Sequence, residues 1–265
     1  MTEIHAIDPE IAGMPRGGWD ASWLDRRLQT DELEYLDRDD VSDEVKQKVV
    51  TMLDRMGELT HQHDTFARVA LDLVSDIPDP RILELGAGHG KLSAKILELH
   101  PTATVTVSDV NPNSVANIAG GPLGSHPRAR IQVVDATDID SQDDTYDLVV
   151  FALAFHHLPP LIASRAIAEA TRVGTRFLVV DLRRLSPVEL ALTPLQMVSV
   201  NLVFQPLSSL WPCVHDGFIS ALRAYSISAL TTLGQAADPD MSVTVLPKPA
   251  GYGPPVNAVV FSRQP

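Results

Sequence analysis

Residues 81–93, with the sequence RILELGAGHGKLS, constrain the fold of this chain more than any other stretch. Apolar residues of a predicted strand run into three glycines at alternate positions, and a helix-compatible segment, Lys91–Leu99, follows directly. Glycine permits the backbone conformations that a sharp strand-to-helix turn needs, and it lets a ligand touch the main chain. The free N–H groups at the start of a helix favour an electron-rich or anionic group. The segment therefore predicts a strand, a turn and a helix that form the floor of a ligand pocket.

The spacing of the glycines indicates the ligand. A dinucleotide fingerprint is Gly-x-Gly-x-x-Gly, whereas here the glycines are Gly86, Gly88 and Gly90, and Lys91 takes the place of the third fingerprint glycine. Glu84, at the end of the strand, is also unusual for that fingerprint. Glu-x-Gly-x-Gly-x-Gly resembles the first motif of class I methyltransferases that use S-adenosylmethionine (SAM). A purely structural strand-to-helix corner is the alternative, so the rest of the chain must supply the context.

Strands and helices alternate regularly after this turn. The sequence predicts strands at 104–108, 130–134, 147–152 and 176–180, with helices at 111–118 and 161–172 between them. Such alternation is typical of a parallel sheet that is covered by helices on both faces. Ligands then bind at the carboxyl ends of the strands.

Two acidic residues follow the predicted second and third strands. The Asp109 carboxylate can accept hydrogen bonds from both hydroxyls of a ribose. Asp135, followed by Ala136, can accept the adenine amino proton while a backbone N–H meets a ring nitrogen. An acid at position 109 also suits NAD, and each aspartate has a structural alternative as a loop cap. Both acids together, in register behind the glycine turn, are the more specific signal for SAM.

Five segments resemble the successive motifs of class I SAM-dependent methyltransferases: ILELGAGHG, VTVSDVNPNSV, IQVVDATDI, YDLVVFALAFHHLPP and RFLVVDLRR. The likeness is to the small-molecule branch typified by ubiquinone, menaquinone and polyketide methyltransferases. It implies an α/β, Rossmann-like, seven-stranded and mostly parallel sheet with a final antiparallel strand, an N-terminal helical lid and a helical insertion between strands 5 and 6. It also implies SAM as cofactor, bound at Glu84, Gly86, Ala87, Gly88, Gly90, Asp109, Val110, Asp135, Ala136 and Phe151.

The histidines His156 and His157 follow the fourth strand, beside the expected position of the methyl group. An imidazole there could take the proton from an acceptor hydroxyl. His157, His156 and His215 are the candidate bases, in that order, and the alternative is that one of the pair only packs against the SAM end of the sheet. No metal site is predicted, because side chains one residue apart point away from each other in a regular element and no acidic third ligand has suitable spacing.

The acceptor is expected to bind in residues 185–237, a long apolar segment of helical character. Its composition favours an apolar or aromatic acceptor. Packing of this segment for stability, or a homodimer face, remains the alternative. The candidate substrate-binding residues are Phe204, Trp211, Phe218, Arg223 and Tyr225.

Length and charge set the remaining expectations. The 265 residues suit one domain, divided as 1–76 (lid), 77–184 (SAM-binding core), 185–237 (acceptor cap) and 238–265 (final strands). The net charge of −13 and the FALAFHHLPP segment, which lacks Asn/Asp-Pro-Pro-Tyr, argue against nucleic-acid substrates. With one cysteine, Cys213, no signal peptide and no apolar run that could span a membrane, a cytoplasmic location is expected.

The sequence thus predicts a SAM-dependent methyltransferase of small molecules, with O-methylation favoured over C- or N-methylation. A SAM-binding protein without catalysis would share every cofactor residue. A nicotinamide-dependent oxidoreductase would share the sheet and Asp109, but it conflicts with the glycine spacing and with Asp135.

Overall fold

A computed structural model describes residues 9–38, 40–193, 207–249 and 253–263 of the chain. Its centre is a seven-stranded sheet in the order β3-β2-β1-β4-β5-β7-β6. Strands β1 to β5 pair in parallel, and β7 pairs antiparallel with both β5 and β6. The strands are β1 (Arg81–Leu85), β2 (Thr104–Asp109), β3 (Ala129–Val133), β4 (Leu148–Ala152), β5 (Phe177–Leu182), β6 (Ser242–Val245) and β7 (Val256–Ser262). The predicted fold class is confirmed.

Helices cover both faces of the sheet. They are α1 (Trp23–Arg27), α2 (Asp43–Leu59), α3 (Gln62–Asp72), α4 (Lys91–Leu99), α5 (Pro112–Gly120), α6 (Pro160–Val173), a helical stretch over residues 187–193 (α7), α8 (Leu207–Arg223) and α9 (Ile227–Ala237). Helix α6 packs with α9, and α3 packs with α4. No helix among the described residues is long and apolar enough to cross a membrane.

The central strands are buried on both faces, as parallel strands between helical layers must be. Leu83 and Val149 point into one apolar cluster, and their neighbours Ile82 and Leu148 point into the other. All four side chains are fully buried. The carboxyl ends of β1 and β4 are therefore held rigidly, and the residues that follow them have defined positions.

The bounds of the predicted strands differ from the observed ones by one or two residues, and the differences at β5 and β3 affect the site. Strand β5 was predicted to end before Asp181, but it continues to Leu182 because β7 supplies antiparallel partners as far as Leu182 paired with Val256. Strand β3 begins one residue early and ends at Val133, where its pairing with Asp109 of β2 stops. Asp135 therefore lies in the loop, two residues beyond the strand.

The segment of residues 9–42 crosses the carboxyl end of the sheet. Ile11 and Met14 are buried in the core cluster that contains Leu83. Arg16 donates hydrogen bonds to the carbonyls of His156 and Arg223, at 2.7 and 2.6 Å. This N-terminal segment is thus packed into the domain over the edge at which a ligand is expected.

Candidate functional site

The glycine turn joins β1 to α4. Gly86, Gly88 and Gly90 have φ angles of +60°, +56° and +71°. A Cβ on Gly86 would lie 2.6 Å from the Phe151 ring, and one on Gly90 would lie 2.6 Å from Leu123, so packing requires glycine at both positions. A Cβ on Gly88 would meet nothing within 4 Å. The backbone at Gly88 is therefore the part of the turn that is open to a ligand.

Asp109 lies against the open part of the turn. Its Oδ2 accepts a hydrogen bond from the Gly88 N–H at 2.9 Å, and its Oδ1 accepts one from Asn111 N–H at 2.9 Å. The Ala87 N–H donates to the Ser108 carbonyl at 2.8 Å, which fixes the turn against β2. Val110 follows with its side chain exposed. The carboxylate predicted to bind the ribose hydroxyls and the backbone predicted to hold the ligand are therefore adjacent.

Glu84 is fully buried beneath this turn. Its Oε2 accepts hydrogen bonds from the Ser93 N–H, at 3.0 Å, and from the Ser93 hydroxyl, so it connects β1 to the first turn of α4. Burial raises the pKa of this carboxyl to about 7 in spite of the two hydrogen bonds. The structure thus gives Glu84 a role in holding the turn, and a direct contact with SAM stays a prediction.

Asp135 stabilises its own loop. Its Oδ1 accepts hydrogen bonds from the N–H and the hydroxyl of Thr137, at 2.8 and 2.7 Å. This is the loop-capping geometry that was the structural alternative. Ala136 packs partly buried against the core cluster, and Phe151, predicted to contact SAM, is buried under the turn with its ring 5.8 Å from that of Phe155. A contact of either residue with SAM stays a prediction.

His156 lies between two carboxylates at the carboxyl ends of β4 and β5. Its Nδ1 is 2.8 Å from Asp181 Oδ1, and its backbone N–H donates to Asp181 Oδ2 at 2.6 Å. Its Nε2 is 3.3 Å from Glu34 Oε1 but makes no well-aligned hydrogen bond. Burial acts to lower the pKa of His156, yet the carboxylates of Asp181 and Glu34 outweigh it and raise that pKa to about 10.

His157 lies beside it in the same cluster. The two rings are 4.4 Å apart and inclined by 34°. His157 Nδ1 is 2.8 Å from Asp37 Oδ2, its Nε2 is 3.8 Å from Glu34 Oε2, and a quarter of its side chain is exposed. We call Glu34, Asp37, His156, His157 and Asp181 the histidine–carboxylate cluster.

The reasoning against a metal site was wrong in its two premises. The pair lies in a 3-10 turn, Phe155–His157, rather than in a regular strand or helix, so the rings stand side by side. An acidic third group is present because Glu34 comes from the N-terminal segment. Its carboxylate oxygen and the ring nitrogens of His156 and His157 lie within 4.8 Å of one another. Sequence reasoning missed Glu34 and Asp37 altogether, since no local pattern marks residues whose partners are 120 positions away.

His215 belongs to α8 and lies outside the cluster. Its Nδ1 is 3.0 Å from Asp216 Oδ1, which also accepts the Tyr35 N–H at 2.7 Å. The Tyr35 ring meets the His215 ring edge-on, with centroids 4.6 Å apart. Helix α8 also reaches the cluster, because the Ser220 hydroxyl donates to Glu34 at 2.7 Å. His215 is thus held near the cluster by the N-terminal segment.

The predicted substrate residues fall in different environments. Arg223 is buried and donates to the His157 carbonyl at 2.7 Å, and the Tyr225 hydroxyl donates to the Leu158 carbonyl at 2.7 Å. Trp211 is 69% exposed and Phe218 is half-buried. Phe204 lies outside the described residues. Arg223 and Tyr225 therefore support the cluster, and an acceptor contact by any of the five stays a prediction.

A small cavity adjoins the cluster. Its volume is about 10 Å³, and its walls include Asp181, Leu182, Tyr225 and Asn257. Pockets for small organic ligands usually enclose about 300–1,000 Å³. This cavity is therefore smaller than an acceptor of ordinary size requires.

Sequence comparison finds a family model and a curated relative that each match part of this chain. Residues 82–175 match the family model described as a methyltransferase domain. A malonyl-[acyl-carrier protein] O-methyltransferase of Geobacter sulfurreducens is 33% identical over 105 residues, which are 40% of this chain and 38% of that protein. The match thus spans well under half of the relative's length.

Solved structures share the fold at low sequence identity. The plantazolicin methyltransferase BpumL, solved with SAH, has a TM-score of 0.58 at 13% identity, over 84% of this chain and 92% of that one. The mitomycin 7-O-methyltransferase MmcR has a TM-score of 0.55 at 17% identity, over 77% of this chain and 53% of that one. Residues 82–175 are thus similar to a methyltransferase domain, and the chain shares the fold of solved methyltransferases that act on small molecules.

Proposed function

We propose that this chain transfers the methyl group of SAM to an oxygen atom of a small, largely apolar or aromatic acceptor. The observation that carries the proposal is the position of the histidine–carboxylate cluster. It follows β4 and β5 at the same edge of the sheet as the glycine turn that follows β1. A turn that binds the cofactor and side chains that can exchange protons lie at one edge of the sheet. This arrangement suits methyl transfer to an acceptor that must lose a proton.

The residues of the glycine turn suit SAM. The open space beside Gly88 is a cradle that a Cβ would fill, and the Asp109 carboxylate lies at its side. We assign the ribose hydroxyls to Asp109, the amino-acid end to the backbone of residues 86–88, and the adenine to the loop of Asp135 and Ala136. When bound, SAM supplies an electrophilic methyl group on a sulfonium sulfur.

The chain contributes by orienting the acceptor and by handling its proton. The transfer would break the bond from sulfur to the methyl carbon as the acceptor oxygen bonds to that carbon, and the electron pair of the broken bond would stay on sulfur. The acceptor hydroxyl loses its proton. We assign the acceptance of this proton to His157 or His215, because a pKa of about 10 keeps the His156 ring protonated near neutral pH. Proton transfer of this kind typically raises the rate about 10²–10⁴-fold. Much of the remaining acceleration comes from alignment of the acceptor oxygen with the methyl carbon.

The acceptor class is inferred from the surroundings of the cluster and from the relatives. Phe155 and Leu230 line the cavity beside Asp181. The relative from Geobacter sulfurreducens is an O-methyltransferase by name, and so is MmcR. Because the cavity is small, we expect the N-terminal segment or helices α8 and α9 to move when an acceptor binds. A homodimer stays a proposal that nothing in the described contacts supports further.

A screen with mass detection tests this function. The purified chain is incubated with SAM and separate panels of phenols, hydroxyquinones, carboxylic acids and amines, and products are scored for the gain of one methyl group. We expect methyl esters or ethers to form, and His157→Asn to lower kcat while leaving the Kd for SAM unchanged. His100→Asn is the control, because His100 caps the far end of α4. Products methylated only at carbon or nitrogen would contradict O-methylation.

A further inference from the structure

We propose that Glu34, His156 and His157 form a binding site for a divalent transition metal, with Zn²⁺ as the ion that best fits the ligand set. Two imidazole nitrogens and one carboxylate oxygen are a known zinc ligand set that leaves a further position for water or substrate. The three ligand atoms lie within 4.8 Å of one another. The side chains of Glu34 and His156 are almost completely buried, whereas a quarter of His157 is exposed.

The separation of these atoms suits a metal better than hydrogen bonds. His156 Nε2 is 3.3 Å from one Glu34 oxygen, and His157 Nε2 is 3.8 Å from the other. Bonds of about 2.0–2.2 Å at a tetrahedral zinc ion hold ligand atoms roughly 3.4 Å apart. His156 Nε2 is also a buried atom without a well-aligned hydrogen-bond partner, and it points at Glu34. A buried polar atom of this kind calls for a partner.

The other ring nitrogens provide independent support. His156 Nδ1 is 2.8 Å from Asp181, and His157 Nδ1 is 2.8 Å from Asp37. Metal-binding histidines almost always donate this second ring N–H to a carboxylate or a carbonyl, which fixes the ring and directs the other nitrogen to the metal. Both histidines of the cluster have this arrangement, and both Nε2 atoms face the same carboxylate.

The charges around the site are consistent with a cation. Glu34, Asp37 and Asp181 bring three carboxylates to the two imidazoles, while the Arg223 guanidinium contacts Asp37 at 3.4 Å. A divalent ion supplies the positive charge that ring protons on the two histidines would otherwise supply. Its role in catalysis rests on the proposed function: an acceptor hydroxyl at the open position would lose its proton more easily, as zinc-bound water does, and His215 or solvent water would take that proton. The metal then takes over the task that His157 would perform as a base.

Zinc titration of the full chain tests the site. The protein is freed of metal with a chelator, dialysed, and titrated with Zn²⁺ alone against a chromophoric competitor. We expect one ion per chain, with loss of that binding in Glu34→Gln and His157→Asn. Asp37→Asn and Asp181→Asn should weaken it by about 10–100-fold, the usual effect of removing an outer-shell carboxylate. Thermal melts of every variant show that the fold persists, and His100→Asn should bind zinc like the unchanged chain.

The outcomes separate the metal site from the methyltransferase function. No saturable zinc binding, or equal binding by Glu34→Gln, would overturn the site, since the ion would then be absent or adventitious. The titration contains neither SAM nor acceptor, so this failure leaves methyl transfer standing. Zinc binding with no methylated product in the acceptor screen would instead remove the proposed function and keep the site.

Discussion

Gly88 is the residue at which added side-chain bulk should affect the cofactor before it affects the fold. Its Cβ would extend into open space, although its φ of +56° makes any other residue strained by about 1–2 kcal/mol. We therefore expect Gly88→Ala to fold, to melt somewhat earlier, and to bind SAM at least about tenfold more weakly, a loss of about 1.4 kcal/mol. Isothermal titration with SAM measures the affinity.

Gly120→Ala is the matched control for this substitution. Gly120 ends α5 at an exposed position, has no positive φ, and likewise leaves open space around an added Cβ. It should keep the SAM affinity and gain slightly in stability, because alanine loses less conformational freedom on folding than glycine. A folded Gly88→Ala variant with unchanged SAM affinity would move the cofactor away from this turn.

Glu84 should make the stability of the protein depend on pH. The folded state holds the proton of this buried carboxyl up to a pKa of about 7, whereas the unfolded chain releases it near the ordinary glutamate pKa of 4.5. Between these two pKa values the folded state binds more protons than the unfolded state, so the free energy of unfolding falls as pH rises. Above the upper pKa, the loss of stability due to Glu84 stays constant. Between about pH 5 and about pH 8 the loss due to Glu84 should be about 2–3 kcal/mol.

Urea unfolding at both pH values isolates this contribution. The Glu84→Gln variant has no carboxyl at this position to ionise. Between about pH 5 and about pH 8, its free energy of unfolding should therefore fall by about 2–3 kcal/mol less than that of the unchanged chain. Glu98→Gln is the control, because Glu98 is an exposed glutamate on the neighbouring helix that pairs with Lys95. If both variants show the same pH dependence as the unchanged chain, Glu84 is ionised in the folded state throughout.

Two neighbouring arginines at the end of β5 allow the attachment of the N-terminal segment to be measured. Arg184 is buried, pairs with Asp25 of α1 at 2.9 Å, and donates to the carbonyls of Leu222 and Ala224 at 3.0 Å. Arg183 is exposed and pairs with Glu189. Removal of one partner of a buried ion pair costs about 3–5 kcal/mol, whereas exposed pairs contribute about 0.2–1 kcal/mol.

Arg184→Ala should therefore lower the free energy of unfolding several times more than Arg183→Ala, as measured by urea denaturation. It should also increase protease cleavage within residues 9–42, since α1 loses its attachment to β5 and α8. Equal losses in the two variants would mean that α1 is not held by Arg184. The N-terminal segment would then be attached through its other contacts, such as the buried Ile11 and Met14, Arg16 and the cluster.

Elements with local signals could be predicted from the sequence, and those fixed by partners could not. Helix α4 was predicted at Lys91–Leu99 and is found there, because the glycine turn defines its start. The end of β5 was misplaced, because its last residues are strand only by pairing with β7, more than seventy positions later in the chain. The loop-capping role of Asp135 was an alternative to a contact with adenine, and the sequence could not decide between them without the position of Thr137.

At the scale of the whole molecule, the sheet was predictable and the assembly of the candidate site was not. The parallel sheet follows from the alternation of strands and helices, and its seven strands with an antiparallel strand at the end follow from the resemblance to methyltransferases. The histidine–carboxylate cluster instead joins Glu34 and Asp37 to His156, His157 and Asp181, and such pairings depend on the path of the N-terminal segment across the sheet. Nothing in the local sequence around Glu34 or Asp37 marks that path. The histidines were therefore found from the sequence, while their partners were found only in the structure.

Ligand-induced stabilisation of the whole molecule separates the SAM assignment from the nicotinamide alternative. A ligand that binds only the folded state at 100 times its Kd adds about 2.7 kcal/mol to the free energy of unfolding, which for a chain of this size raises Tm by roughly 5–10 °C. SAM should produce this shift, and NADH at the same concentration should produce none, because the glycine spacing and Asp135 do not fit a dinucleotide. Gly88→Ala should lose about half or more of the response to SAM while Gly120→Ala keeps it, which ties the shift to the glycine turn. A Tm that rises with NADH and not with SAM would contradict the cofactor assignment, whatever the resemblance of residues 82–175 to other methyltransferase domains.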